Sequence, residues 1–315
     1  MLTVELVKTR ALELGFDLCG IAPIDSFVEL TALPGWLARG FGGRMTYLNR
    51  TARKRADVRH WLPSARSVVS VASLYHTERP YAVERSDPRR AGLARYAWGD
   101  DYHDVMGPRL QALMAWMRGS TESAFDARWC VDDGPVQERV YAMYAGLGWI
   151  GKNTCLINPE RGSWFLLGEI ATTLALEPDQ PVFDRCGSCT LCLEACPTGA
   201  IVEPYMLDAT RCVSYLTIEV RGAIPPDQHR DVGSHLFGCD ICQEVCPYNA
   251  TAPVSAKPEW QPRPALDGVG LEDLAALDDA QLEAVIAGTA LRRAGVAGLR
   301  RNLDIACRNA VRGTE

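Results

Sequence analysis

Four cysteines stand close together in the segment CGSCTLCLEACP, and a proline follows the last of them. Their spacing is C-x2-C-x2-C-x3-C-P, a run that holds four-iron clusters in small electron-transfer proteins. Three thiolates at three-residue intervals can bind one cluster, while the fourth points toward a neighbouring cluster. The spacing therefore predicts two 4Fe-4S clusters, and its cysteines are Cys186, Cys189, Cys192 and Cys196.

A second motif, CDICQEVCP, supplies three more cysteines, but Leu236 stands where a fourth is expected. Cys212 is the substitute that the sequence offers. Zinc is the alternative metal, although a zinc ribbon would show two C-x2-C pairs separated by a longer spacer. A crossed assignment fills two clusters with eight ligands. One cluster takes Cys186, Cys189, Cys192 and Cys246, and the other takes Cys196, Cys212, Cys239 and Cys242.

The length and composition are those of a globular protein with a substantial core, at 315 residues and 47% hydrophobic content. The N-terminus carries charges throughout, and no segment approaches the ~20 apolar residues that span a bilayer. We therefore expect a cytoplasmic protein without membrane contact. In a reducing compartment, metal binding explains twelve cysteines better than disulfides do. The cysteines without motif partners are interpreted as buried or idle thiols: Cys19, Cys130, Cys155 and Cys307.

Three parts follow one another along the chain. Residues 1–180 alternate helical and β-like patterns, which predicts an α/β or α+β domain, and residues 181–250 hold the cysteine motifs. Residues 251–315 begin with a proline-rich linker and continue with two short predicted helices, LEDLAALDDAQLEAVIAG and GLRRNLDIACRNAVRG. An electron carrier needs little beyond the second part, so the first part indicates that something else is reduced.

Several blocks, in order, resemble one known family. They are RYAWGDDYHDVM, VDDGPVQERVYAMYAGLGWIGKNTCLINPERGSWFLLGEI, the two cysteine motifs and CVSYLTIE, and together they are similar to epoxyqueuosine reductases. The resemblance implies an α+β fold, with a nitroreductase-like N-terminal domain followed by a ferredoxin-like domain. It also implies a base-off cobalamin between the two domains, with no protein ligand to cobalt. Corrinoid-dependent reductive dehalogenases share this arrangement.

The residues themselves give no cobalamin signature. DYHDVMG nearly matches the D-x-H-x-x-G pattern of proteins that ligate cobalt through histidine, but Met106 stands where glycine is required. We therefore interpret His103 as a structural or surface histidine on a helix that begins near Tyr102.

The segment VDDGPVQER contains the candidate proton donor. Opening an epoxide leaves an alkoxide, and a carboxylic acid whose pKa is raised by an apolar pocket can protonate it. The resemblance implies that Asp132 is this donor. Asp133 is a departure from the family pattern and a rival for the role, since relatives usually carry a small polar residue there. The alternative is that both are turn or helix-capping carboxylates before Pro135.

The resemblance also implies cobalamin contacts at scattered positions. Gly148 and Gly151 belong to GLGWIGKN, a glycine-rich turn that would let the main chain approach a large flat ligand. Its spacing is not that of a phosphate-binding P-loop. The predicted contacts are Arg55, Ala97, Asp132, Gly151, Lys152, Asn153, Ser214 and Asp240.

The charge of the chain limits how it could bind RNA. A net charge of −6 and a pI near 5.5 exclude indiscriminate nucleic-acid binding, so a tRNA substrate requires a local basic surface. The family commonly continues into a C-terminal helical-repeat domain, and this chain is expected to carry only its first helix. The predicted phosphate contacts in that arginine-rich segment are Arg292, Arg293, Arg300 and Arg301.

The implied activity is reduction of epoxyqueuosine to queuosine at the wobble position of tRNA. Electrons would pass from the two clusters to cobalamin, and Asp132 would supply a proton. The expected partners are tRNA and an external low-potential donor of the ferredoxin or flavodoxin type, and the chain is expected to be a monomer. The alternatives are a corrinoid reductase of a small organic substrate and a non-catalytic electron-transfer protein.

Overall fold

The computed structural model describes residues 2–84 and 87–312. Its α-helices are α1 Val4–Glu13, α2 Val28–Ala38, α3 Thr46–Ala56, α4 Tyr102–Gly119, α5 Glu138–Tyr144, α6 Leu191–Glu194, α7 Val213–Ile218, α8 His229–Val232, α9 Ile241–Glu244, α10 Leu271–Ala276, α11 Asp279–Ile286 and α12 Gly295–Arg312. Its strands are β1 Leu18–Pro23, β2 Ser67–Leu74, β3 Gly92–Leu93, β4 Ala127–Cys130, β5 Trp149–Ile150, β6 Leu156–Ile157, β7 Phe165–Thr172, β8 Ile201–Glu203, β9 Met206–Leu207 and β10 His235–Phe237.

A four-stranded antiparallel sheet in the order β1-β2-β7-β4 forms the centre of the N-terminal domain. Every residue of β2 is buried, because helices cover both faces of the sheet. Helices α1 and α4 lie on one face, where Val69 and Ile170 enter the core. Helix α5 lies on the other face, over Val68 and Ala171. The mixture of helix and strand predicted from the sequence is confirmed.

Helix α4 begins where the local sequence favours a start. The side chain of Asp101 accepts a hydrogen bond from the backbone N–H of His103 at 3.1 Å and caps the helix. Met106, Leu110 and Leu113 follow at intervals of three and four residues, and all three are buried against the sheet. Tyr102 and His103 therefore lie in the first turn, as predicted.

Each cysteine motif contains one short helix. Helix α6 lies within the first motif and α9 within the second, and the two helices pack against each other. The hairpin β8–β9 and helix α7 connect them. Cys212 immediately precedes α7, which brings this isolated cysteine to the region of the second motif.

The last part of the chain packs against both preceding parts. Trp260, in the segment interpreted as a linker, is buried in the core of the N-terminal domain and donates a hydrogen bond from Nε1 to the Ser73 hydroxyl at 3.1 Å. In α12, Leu299 and Leu303 are buried beside Phe237. Asn302 donates hydrogen bonds to the carbonyls of Thr217 and Leu236 at 2.9 and 2.7 Å. The apolar residues of α12 recur at helical spacing, which explains why this segment joins the core.

One helix prediction in this part is wrong. The segment LEDLAALDDAQLEAVIAG forms two helices, α10 and α11, because Asp278 starts a new one. Its side chain accepts from the backbone N–H of Gln281 at 2.8 Å, and the Gln281 side chain accepts from the backbone N–H of Asp278 at 2.9 Å. This reciprocal capping box is a strong helix start and divides the pattern. Within residues 2–84 and 87–312, no helix combines the length and apolar composition needed to cross a membrane.

Candidate active site

A cleft of about 380 Å³ lies between the sheet and the cysteine-rich part of the chain. Tyr75, Tyr96 and Tyr102 line it from the N-terminal domain, and Asp132 lines it on the same side. The cysteine-rich part of the chain lines the same cleft with four of the motif cysteines, which are Cys196, Cys212, Cys239 and Cys242. Electron-carrying groups and an acid would therefore share one cleft.

The remaining four motif cysteines form a group away from the cleft. Burial, followed by the charges of Cys186 and Cys189, raises the pKa of Cys192. Burial and the neighbouring thiols of Cys186 and Cys192 likewise raise the pKa of Cys246 to about 11. These mutual effects show that Cys246 of the second motif lies beside cysteines of the first. The indole of Trp149 also donates to the Cys186 sulfur at 3.5 Å.

The four cysteines at the cleft form the second group. Burial and the charges of Cys212 and Cys196 raise the pKa of Cys239, and Cys196 has the same effect on Cys212. The backbone N–H of Ala200 donates to the Cys196 sulfur at 3.2 Å, an arrangement that tunes cluster potentials in iron–sulfur proteins. The two spatial groups have the members of the two predicted ligand sets, and the ligand assignment remains a prediction.

The glycine-rich segment contacts the cysteine loops directly. Lys152 donates from Nζ to the carbonyls of Gly187 and Cys189 at 2.6 and 2.9 Å, and Asn153 donates from Nδ2 to the carbonyl of Cys242 at 3.1 Å. Asn153 lines the cleft, but Lys152 and Gly151 are not among the residues of its wall. A Cβ at Gly151 would lie 2.4 Å from Ile157 Cδ1, so packing within the hairpin β5–β6 accounts for this glycine.

Asp132 occupies an unusual backbone conformation directly after β4. Its φ is +60°, in the left-handed region that only a few residue types adopt readily. The hydroxyl of Tyr102 donates to Asp132 Oδ2 at 2.9 Å, and the backbone N–H of Asp132 donates to Glu138 Oε1 at 2.5 Å. Burial and the charge of Asp132 raise the pKa of Tyr102, so the phenol keeps its proton and donates. The turn thus holds the Asp132 carboxyl toward the cleft.

The structure distinguishes the two adjacent aspartates. Asp133 accepts a hydrogen bond from the backbone N–H of Val131 at 3.1 Å and does not line the cleft. Gln137 occupies the N-cap of α5, and neither aspartate caps that helix. Asp132 is exposed rather than enclosed in the apolar pocket that the sequence interpretation assumed.

Two carboxyl groups near Asp132 escaped the sequence analysis, one half-buried and one fully buried. Glu138 lines the cleft from α5, and Glu169 lies fully buried in β7. Burial and the charge of Asp132 raise the pKa of Glu138 to about 8. Burial and the neighbouring Glu138 raise the pKa of Glu169 well above its usual value. An acid inside the apolar strand sequence WFLLGEIATT was the available signal, because such positions are rarely charged.

The other predicted cofactor contacts divide into two groups. Ser214 and Asp240 line the cleft, and Asp240 Oδ2 accepts from the backbone N–H of Arg95 at 2.6 Å. Arg55 does not belong to the wall and donates to the carbonyl of Val136 at 2.8 Å. Ala97 is fully buried in a core cluster and is likewise outside the wall.

No histidine occurs among the described residues that line the cleft. His103 lies outside its wall and pairs with Asp101, with Nδ1 and Oδ1 2.8 Å apart. This hydrogen bond is the main cause that raises the pKa of His103. The placement agrees with the interpretation of His103 as a structural histidine.

The arginines of the C-terminal part have different surroundings. Arg293 forms a two-point ion pair with Glu219 at 2.9 and 3.0 Å. Arg300 pairs with Asp279 at 2.9 Å, and Arg301 donates to the carbonyls of Val220, Gly222 and Leu216 at 2.6, 2.8 and 3.1 Å. Arg292 is exposed, and its guanidinium has no hydrogen bond or ion pair within the part of the chain that the structure describes.

Cysteine spacing, spatial grouping and the cleft define an iron–sulfur redox enzyme with two 4Fe-4S clusters. The family description "4Fe-4S double cluster binding domain" matches residues 185–249. A second description, "Epoxyqueuosine reductase QueG, DUF1730", matches residues 55–133.

Similar proteins extend over nearly the whole chain. The epoxyqueuosine reductase of Gloeobacter violaceus is 43% identical over 310 residues, which cover 95% of this chain and 94% of that protein. A solved epoxyqueuosine reductase with an epoxyqueuosine-modified tRNA-Tyr stem loop has a TM-score of 0.85 at 32% identity, and the match covers 97% of this chain and 81% of that one. A Bacillus subtilis epoxyqueuosine reductase structure, with its catalytic aspartate loop swung out of the active site, has a TM-score of 0.87 at 32% identity and the same coverage. The chain belongs to the epoxyqueuosine reductase family.

Proposed function

We propose that this protein reduces epoxyqueuosine in tRNA to queuosine. Family membership supports the activity, and one observation carries it to these residues: Asp132 and four motif cysteines line the same cleft. Reducing an epoxide to an alkene requires two electrons and two protons and releases water. Clusters bound by the cysteines would deliver the electrons, and the Asp132 carboxyl would deliver protons.

Electrons enter through the two clusters in this proposal. The ligands follow the crossed assignment, with Cys246 completing the first set and Cys212 completing the second. The second set lines the cleft, so its cluster is the one that passes electrons to the active site. An external low-potential protein of the ferredoxin or flavodoxin type reduces the first.

In this proposal, a cobalamin would bind at the open cleft and extend beyond its enclosed part. Its described wall contains no histidine and presents tyrosine rings beside the cysteines, which suits a large planar ring system. Asn153, Ser214 and Asp240 would hold the corrin periphery by hydrogen bonds. A bound cobalamin supplies the reducing centre that accepts electrons from the clusters. In this proposal, residues 1–180 form a nitroreductase-like domain. Four predicted contacts do not line the cleft and only support the residues that do: Arg55, Ala97, Gly151 and Lys152.

Asp132 supplies the first proton to the opening epoxide oxygen. The hydrogen bond from Tyr102 and the left-handed turn keep its carboxyl directed at the cleft. A solved family member has a catalytic aspartate on a mobile loop, and Asp132 is a candidate for the same role on its turn after β4.

The anticodon arm of tRNA binds at the mouth of this cleft. The charges of Arg293 and Asp132 both reach the Tyr47 hydroxyl, so the basic helix α3 and the C-terminal arginines lie near the acid. Arg292 is free to meet a phosphate, and Arg50, Arg53 and Lys54 are exposed on α3. A tRNA substrate places the enzyme in the cytoplasm, where it acts as a monomer.

The test is turnover by anaerobically reconstituted protein. Cluster- and cobalamin-loaded enzyme, a chemical reductant and epoxyqueuosine-containing tRNA should yield queuosine, detected by mass spectrometry of the nucleosides. Cys242→Ser should abolish the product, while Cys307→Ser is the matched control and should not. Failure of the loaded parent on this tRNA would contradict the proposal, and turnover of a small halogenated or epoxide substrate instead would favour a small-molecule corrinoid reductase.

A further inference from the structure

A row of polar side chains crosses the sheet beneath α5. The strand register places Ser70 of β2 and Cys130 of β4 directly opposite Glu169 of β7, on the two sides of that strand. All three are buried, and the surrounding side chains of this face are apolar. No described donor satisfies either carboxyl oxygen of Glu169 with ordinary hydrogen-bond geometry. An ionised carboxylate left in this state would be strongly destabilising, so the site favours the protonated acid.

Glu138 connects this buried acid to the cleft. It lies in the first turn of α5, and a carboxyl oxygen of Glu138 lies within 4.8 Å of one of Glu169. The same residue lines the cleft beside Asp132 and accepts the backbone N–H of Asp132. Glu138 is therefore a neighbour of both Glu169 in the sheet interior and Asp132 at the cleft.

The charges around the pair favour retention of protons. Asp132 and Asp133 lie in the turn after β4 and the Cys130 thiol lies in the strand. His103 on α4 is a titratable base on this side, and the charges of Asp132 and Asp133 raise its pKa. Arg139 on α5 is the cation that opposes the effect at Glu138, and Arg55 on α3 acts on Cys130. Two neighbouring carboxyl groups disfavour each other's ionisation, and burial together with the charge of Asp132 raises the pKa of Glu138 to about 8.

The stoichiometry of the proposed reaction requires a second proton source. Conversion of an epoxide to an alkene and water consumes two protons, and a single carboxyl group such as Asp132 can deliver only one at a time. We propose that Glu138 and Glu169 form a proton store that recharges Asp132 within each catalytic cycle. After Asp132 has protonated the epoxide oxygen, the O–H bond of Glu138 breaks and its proton passes to the neighbouring Asp132 carboxylate. The proton that remains on Glu169 is then shared with the Glu138 carboxylate.

These transfers balance without any change in oxidation state. The two electrons of the reaction come from the iron–sulfur clusters, and solvent returns two protons to the carboxyl groups after the product leaves. Glu138 and Glu169 act through Asp132 and do not touch the substrate. This inference rests on the proposed function for the identity of the proton acceptor, whereas the shared proton itself is a property of the protein alone.

Spectroscopy tests the store without turnover. Infrared difference spectra of the cluster-loaded protein, recorded between pH 6 and pH 10, should show a protonated carboxyl band that disappears near pH 8. Glu138→Gln should remove this band, and Glu283→Gln, at an exposed position on α11, should leave it unchanged. A parent spectrum without a titrating carboxyl band above pH 6 would overturn the proposal, even if the enzyme reduces epoxyqueuosine.

Kinetics distinguish a proton store from a structural role. A glutamine at 138 keeps an acceptor oxygen for the Asp132 N–H, so the turn should be retained. We expect kcat to fall by about 10- to 100-fold with an unchanged KM, because only proton supply is lost. The parent should show a kcat plateau that ends near pH 8, whereas Glu138→Gln should lose activity continuously from pH 6 upward. Glu138→Asp should restore part of the plateau.

Glu169→Gln gives an independent reading in case the first variant folds poorly. It removes a stored proton without touching the turn of Asp132, and its iron content should equal that of the parent. Its kcat should fall in the same direction, with a steeper dependence on pH. A uniform decrease in kcat with the parent's pH profile, in both variants, would assign these residues a structural role and overturn the store.

Discussion

The Asp132 carboxyl offers the sharpest test of the candidate site, through its replacement by asparagine. Asparagine is among the few residues that adopt a φ near +60° readily, so the turn after β4 should keep its shape. The amide oxygen can still accept the hydrogen bond that Tyr102 donates to Oδ2 at 2.9 Å. What the variant lacks is a transferable proton.

The expected loss follows from that difference. Removing a general acid lowers turnover by about 10²- to 10⁴-fold, which corresponds to about 2.7 to 5.4 kcal/mol in the activation barrier. Asp132→Ala should lose stability as well, since alanine in the left-handed region costs about 1 kcal/mol or more. A comparison of the two variants therefore separates the chemistry from the backbone strain.

The assay is single-turnover conversion of epoxyqueuosine-containing tRNA, with iron and cobalamin content measured on the same samples. Asp133→Asn is the matched control, because Asp133 lies outside the cleft wall and its amide would still accept from Val131. It should change the rate by less than about threefold. Larger losses for Asp133→Asn than for Asp132→Asn would refute the assignment of the acid.

Further expectations concern metal content, RNA binding, stability and pH. Reconstituted parent should contain about eight irons per chain and Cys212→Ser about four, because the crossed assignment leaves one ligand set intact; stoichiometric zinc would contradict both clusters. Arg292→Gln should weaken tRNA binding and reduce the salt slope by about one, measured by filter binding, whereas an unchanged slope would remove this residue from the interface. Arg301→Ala should lower the melting temperature of the loaded protein, because it loses its hydrogen bonds to three backbone carbonyls; an unchanged midpoint would contradict this role. Since the folded pKa of Glu138 is about 8 and its ordinary value is 4.5, folding holds an extra proton between these values, so stability should fall as pH rises from 5 to 8 in the parent and less in Glu138→Gln; parallel curves would contradict the raised pKa.

The arginine-rich segment shows why charge alone is a weak guide to an RNA surface. Sequence reasoning grouped four arginines by composition. In the structure, Arg293 forms an ion pair with Glu219, and Arg301 donates hydrogen bonds to backbone carbonyls. Neutralising all four arginines together would therefore disturb folding as well as RNA binding. The exposure of a side chain and its hydrogen-bond partners depend on the tertiary structure. A run of positive charge in the sequence does not reveal them.

The cysteine motifs were predictable because cluster binding imposes a spacing on the chain itself. The double-cluster domain and the family are confirmed by the similar proteins. Contacts that depend on how distant segments meet were harder to predict. Ala97 lies close to the cleft in sequence terms, between Tyr96 and the start of α4, yet its side chain is fully buried in another core cluster. Adjacent residues therefore differ: the side chain of Tyr96 lines the cleft, whereas that of Ala97 is buried in the core.

Glu138 and Glu169 were missed for a related reason. In the sequence, Glu138 looks like an ordinary acid in the first turn of a helix, and Glu169 is a single acid in an apolar strand. Neither position by itself indicates an interacting pair. Their chemistry arises only when the fold brings the two carboxyl groups together and leaves the Glu169 oxygens without a described hydrogen-bond donor. Pair interactions between distant segments are therefore the part of an active site that spacing rules omit.

In the proposed reaction, electrons come from the cysteine-rich part of the cleft and protons come from its carboxyl groups. Cys196 and Cys239 line the cleft from the second domain, and Glu138 and Asp132 line the same cleft from the first. An epoxide held in this cleft would receive electrons at carbon and protons at oxygen. Arg293 and Asp132 both lie near Tyr47 of the basic helix α3, so a tRNA loop that reaches the acid would enter the cleft beside α3 and Arg293.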